Sequence, residues 1–119
     1  MLTLPIKKKW FDMILSGEKK EEYREIKDYY TTRFFNALDG EYFKDKKVHL
    51  KYSSKFLKHG YCYQNIVFPV MFRNGYSATS PSFIAQVSLD IGKGKKEWGA
   101  EAGKEYFRLY IHNIKSVKL

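Results

Sequence analysis

Apolar positions fall at helical spacing in two stretches of this chain and alternate with polar ones through most of the rest. Leu2 to Ile6 predicts a short first strand, and Pro5, which cannot donate to a ladder, makes it an edge or a strand end. From Lys7 to Ser16, Trp10, Met13 and Ile14 recur at three- and four-residue spacing, as do Phe11, Ile14 and Leu15, which predicts a helix. Gly17 stands where a left-handed C-cap belongs. The run Gly17 to Arg24 then breaks the helical pattern. At i,i+4 it sets Glu18 on Glu22, Lys20 on Arg24 and Glu21 on Glu25, all like charges, with only Arg24 and Asp28 favourable. Read as a strand from about Lys20 to Ile26, it puts Lys20, Glu22, Arg24 and Ile26 on one face and Lys19, Glu21, Tyr23 and Glu25 on the other. For Lys19 to share a cleft with Glu22 and Arg24, it must lie in the turn ahead of the regular strand.

Further along, Thr31 or Thr32 is placed to N-cap a second short helix through Leu38, closed by Asp39-Gly40. Val48 to Ser53 alternates as a strand, and Ser54 to Gln64 reads as a loop or a turn of helix. Ile66 to Phe72 is a continuous apolar run whose Pro69 demands an edge position or a bulge. Arg73-Asn74-Gly75 is a turn, followed by a small polar loop from Tyr76 to Ser82. Phe83 to Ile91 is a strand, Gly92 to Lys96 a basic turn, and Tyr106 to Ile114 the last strand. No repeat or linker interrupts the chain. The expectation is one α+β domain over residues 1–119, a small mixed sheet of five to six strands with one or two short helices. Curling of that sheet into a β-barrel would remove its exposed edges.

Composition narrows the partners. A formal charge of +9 favours anionic ones, nucleic acid first, and predicts salt-dependent association. Ten Tyr and nine Phe are more rings than a core of this size needs, so some should lie at the surface. One cysteine, Cys62, excludes an intramolecular disulfide and fits a reducing, cytoplasmic setting. No apolar run approaches the roughly 20 residues of a membrane span. The apolar N-terminus precedes its lysines, the reverse of a signal peptide.

The candidate chemistry is sparse. His59-Gly60-Tyr61-Cys62 has the spacing of half a zinc site without a second half, so no metal or other cofactor is expected. Lys7, Lys8 and Lys9 crowd the first helix N-terminus, either as a solvated face or, with the free N–H groups, as a phosphate-attracting one. Rings alternating with cations, Tyr23 among them, suit base stacking beside backbone contacts. The Lys19, Glu22 and Arg24 set either fixes hydrogen-bonding groups for a base edge or phosphate, or tunes Lys19 as a base. As an exposed strand it would hold only screened ion pairs.

Gly17-x-Lys19-x-x-Glu22-x-Arg24, just after the first helix of a small basic domain, resembles the G-x-K-x-x-E-x-R signature of ASCH domains, relatives of the PUA domain of RNA-modifying enzymes. The resemblance is specific over about the first thirty residues and implies a PUA-like barrel with a cleft that binds RNA or a nucleotide-like ligand. By position, Lys19, Glu22 and Arg24 would line that cleft, with Gly17 delivering them. Tyr23, from the ring and cation pattern, and Lys9, from the helix N-terminus, join them as candidate ligand-binding residues. One bacterial branch hydrolyses N4-acylated cytidines with the motif lysine, a motif threonine and a distant glutamate. Lys19 matches that lysine and would be catalytic, but the threonine position is Glu22 here. Glu97, Glu101 and Glu105 are candidates for the distant acid.

Overall fold

The computed structural model describes residues 1–42 and 66–119, with backbone alone for 39–42. The strand expected at Val48 to Ser53, the loop after it, and His49, His59, Tyr61, Cys62 and Tyr63 lie outside the described residues. Five strands and two helices follow in the order β1 (Leu2–Pro5), α1 (Lys8–Leu15), β2 (Glu21–Arg24), α2 (Asp28–Tyr42), β3 (Phe68–Arg73), β4 (Ser82–Lys93) and β5 (Glu105–Lys118). They form one α+β unit with a mixed sheet in the order β1-β3-β4-β5-β2. Only β1 and β3 run parallel, as a crossover through α1, β2 and α2 requires.

Period-2 burial makes the sheet. Phe68, Val70 and Phe72 of β3 face Phe83, Ala85, Val87 and Leu89 of β4, all buried, while Pro69 and Met71 on the other face are partly open. Phe11 and Ile14 of α1 and Phe34, Phe35 and Leu38 of α2 close the core from the helical side. Pro69 is tolerated inside β3, flanked by β1 and β4, because β1 pairs only from Val70 onward.

The sheet is rolled. In a flat five-stranded sheet the outer strands would sit about 19 Å apart, four spacings of about 4.8 Å. Yet Arg24 Nη2, at the end of β2, donates to the carbonyl of Pro5, at the end of β1, at 2.7 Å. Register shifts at Ile84/Ala85 and Gln86/Val87 bend the long β4–β5 hairpin and bring those edges together. Among the described residues no ladder joins β1 to β2, so the expected barrel is here an open, rolled sheet whose seam is spanned by a side chain.

Several boundaries move, for local reasons. α2 starts at Asp28 rather than at a threonine cap, with Tyr30 and Thr31 donating to the Lys27 carbonyl. Tyr30 stacks on Phe34 at 5.8 Å, which recruits the earlier turn, and Asp28 suits the positive helix end. The backbone stays helical through Asp39-Gly40, since a glycine costs a helix only about 1 kcal/mol. β4 absorbs Gly92 and Lys93. A Cβ on Gly92 would meet the Arg108 guanidinium at 2.5 Å, so that glycine serves a close crossing and not a turn. Arg108 there grips Asp90 with two hydrogen bonds of 2.8 and 2.7 Å.

Candidate functional site

The site is built from the end of α1. Its last turn is closed by Gly17 N–H on the Ile14 carbonyl, and Gly17 adopts φ 84°, a conformation that disfavours any side chain. The Lys19 N–H then donates to the Met13 carbonyl at 2.9 Å, which ties Lys19 to the helix end before β2 begins at Glu21. Lys19 therefore escapes the strand alternation. Its side chain turns to the same side as Glu22 and Arg24, which oppose the core residues Leu109 and Phe107 across the β2–β5 ladder.

One carboxylate serves both cations. Glu22 Oε1 lies 3.2 Å from Lys19 Nζ, and Glu22 Oε2 accepts from Arg24 Nη2 at 2.7 Å. The side chains of Lys19, Glu22 and Arg24 are only 1%, 7% and 10% exposed. This is an interior triad and not a screened surface pair, so each charge needs further partners. Lys19 Nζ donates to the Trp98 carbonyl at 2.5 Å and sits 4.5 Å from the Trp10 ring and 5.0 Å from the Tyr23 ring. Arg24 adds the Pro5 carbonyl and a long contact to the Tyr30 hydroxyl at 3.4 Å.

Titration follows from this packing. Burial lowers the Lys19 pKa below its ordinary value, with Glu22 opposing that shift and Arg24 reinforcing it. Burial also works against the Arg24 charge, but Glu22 and the Tyr30 hydroxyl outweigh it, so the Arg24 pKa is raised. Burial pushes the Tyr23 phenol up to about 12 despite a stabilising main-chain donor, Lys95 N–H, at 2.9 Å.

The lid over Lys19 is the segment between β4 and β5. A short 3-10 helix, Lys96–Trp98, ends at Gly99 with φ 101°. A Cβ at Gly99 would lie 2.9 Å from the Trp10 indole, so backbone and ring are in close contact. Trp98 is buried, Trp10 half-buried, and an exposed lysine stands over each: Lys9 Nζ 4.6 Å from the Trp10 ring, Lys95 Nζ 4.4 Å from the Trp98 ring.

The residues expected at the site thus divide. Gly17, Lys19, Glu22, Arg24 and Tyr23 come together, with Lys9 at the rim. Lys19 itself is sealed from solvent by Trp98, Trp10 and Tyr23. The carboxylate that meets Lys19 is Glu22, while Glu97 and Glu101 point to solvent as exposed residues. Sequence reasoning missed the Trp98 and Pro5 carbonyls, because main-chain acceptors leave no mark on residue type. It also assigned Trp10 only to the apolar face of α1. The neighbouring Lys9 was the available signal that this ring is also a cation platform. Among the described residues no three His, Cys, Asp or Glu gather into a metal-binding group. No helix among them is long and apolar enough to cross a membrane.

No family model matches the chain, and neither a curated protein nor a solved structure matches it.

Proposed function

We propose that this domain binds RNA, or a nucleotide-like ligand, on the surface that α1 and the Lys95–Gly99 segment build over the motif. The observation that carries the reading is the pairing of exposed cations with indole rings above the triad, Lys9 with Trp10 and Lys95 with Trp98. Rings offer stacking faces to unpaired bases while cations track the phosphates. The charge of +9 supplies the long-range attraction. In this reading the triad works from beneath, holding Trp98 and Trp10 in place through Lys19. Membership of the ASCH family and a PUA-like, barrel-related roll of the sheet belong to the same proposal, supported by the motif and by Arg24 bridging the open seam. A reducing, cytoplasmic setting, supported by the single cysteine, goes with it.

Titrating single-stranded RNA while following tryptophan emission tests it, with heparin as a polyanion without bases. Quenching by RNA and not by heparin is expected, because only bases stack on Trp10. Equal responses to both would leave a general anionic-surface binder, and no binding at low salt would remove the proposal.

A second reading, hydrolysis of an N4-acylated cytidine or of RNA, is favoured by the burial of Lys19 Nζ 3.2 Å from the Glu22 carboxylate, burial that also lowers the Lys19 pKa. It requires the lid to open, since Lys19 is 1% exposed. Incubation with acylated nucleosides, with Lys19→Ala as control, decides it, and turnover unchanged in the variant would exclude Lys19.

A further inference from the structure

A cavity lies away from the motif, between α2 and the starts of β1 and β3. It has a volume of about 560 Å³, within the range of about 300–1,000 Å³ usual for small-ligand sites. Leu2, Ala37, Phe68 and Pro69 give it an apolar floor, and two polar side chains, Arg33 and Asn36, stand on one wall. Helical spacing places them there: Tyr29, Arg33, Asn36 and Ala37 form one stripe of α2, beside the core stripe of Phe34 and Leu38.

Arg33 is held ready. Its Nη1 donates to the Tyr29 carbonyl at 3.0 Å, and its guanidinium lies 3.5 Å from the Tyr29 ring centroid. That stack fixes the side chain while leaving hydrogen-bond donors over. Among the described residues Arg33 is the one charged side chain lining the cavity, and no acidic residue lines it. The chemistry that complements such a site is a flat apolar body bearing one anionic group. Asn36, which both donates and accepts, adds a match to the edge of a nucleobase.

We infer that this cavity is a binding site for a nucleoside monophosphate, the base lying on Leu2, Phe68 and Pro69 with its edge at Asn36 and the phosphate at Arg33. The site is independent of the RNA surface proposed above, and neither depends on the other.

Amide chemical-shift titration with adenosine monophosphate tests it, using adenosine and benzoate as controls. The expected result is saturable shifts at Leu2, Asn36, Ala37 and Phe68. Adenosine should bind about tenfold more weakly, for want of a charge-assisted pair, and Arg33→Gln should weaken adenosine monophosphate about as much. Arg33 is exposed, so the variant's remaining spectrum reports an intact fold. Shifts confined to Lys7–Trp10 and Lys95, an Arg33→Gln variant that binds equally well, benzoate binding as tightly as the nucleotide, or no saturable shift at all would each overturn the assignment.

Discussion

Glu22 is the residue on which the site depends, because its two oxygens are shared between two buried cations. Taking it away does not merely delete an ion pair. It leaves Lys19 and Arg24 in the interior with no carboxylate between them, held by carbonyls, rings and the Tyr30 hydroxyl. Breaking a buried pair in this way costs about 3–5 kcal/mol. Glu22→Gln should therefore lower the unfolding free energy by about that much in a denaturant titration, whereas a loss under about 1 kcal/mol would mean the triad is solvated. Tyr23 gives a second prediction, with its sign set by linkage. Its phenol has an ordinary pKa of 10.0 and is pushed up to about 12 in the fold, so between those values the unfolded chain has released a proton that the fold retains. Stability from this group is complete below 10.0 and falls as pH rises toward 12. Lys19, with a lowered pKa, contributes in the opposite sense below 10.5, but it does so equally in a Tyr23→Phe variant. Denaturation midpoints measured across this window should fall more steeply for the parent than for Tyr23→Phe. Parallel curves would contradict the burial argument.

At the scale of elements, the lid and α1 meet where Gly99 touches Trp10. Gly99 and Gly103 both take positive φ, 101° and 78°, but only Gly99 is crowded, since a Cβ on Gly103 would find nothing within 4 Å. The pair separates conformational strain from contact. Gly103→Ala should cost about 1 kcal/mol, the left-handed penalty alone. Gly99→Ala should cost at least about 1 kcal/mol more and red-shift tryptophan emission, because the lid must lift from the indole. Equal costs and unchanged emission would show that the contact is loose. The same scale explains what could be read from residues in advance. The strands at Leu2, Ile66, Phe83 and Tyr106 and the helix at Lys7 were legible because alternation and 3.6-residue spacing are local. The short β2 and the exclusion of Lys19 from it were legible as a geometric condition. The start of α2 was not, because a ring stack with Phe34 overrode the threonine caps. Gly92 was misplaced for a related reason: the guanidinium that crosses it comes from Arg108 on another strand.

Across the whole molecule, a rolled sheet brings the ends of β1 and β2 within reach of one arginine, and the helices cover the core on the same side as the triad. The motif then lies inside the protein, and the surface above it carries exposed cations and the half-buried Trp10 ring. No pattern in the residues could show that Lys19 would be sealed, because the seal that Trp10 and Tyr23 begin is completed by Trp98, whose main-chain carbonyl lies far off in the chain. On the proposed RNA surface the phosphates are met by Lys9 and Lys95 above the triad. The dissociation constant for single-stranded RNA, measured against salt concentration for the parent chain and for Lys9→Ala with Lys95→Ala, decides whether they do. Both lysines are exposed, so the variant should stay folded. Weaker binding is expected, with a salt slope smaller by roughly 1.4, since each phosphate neutralised on a single strand adds about 0.7 to that slope. An affinity and slope unchanged by the two substitutions would contradict it.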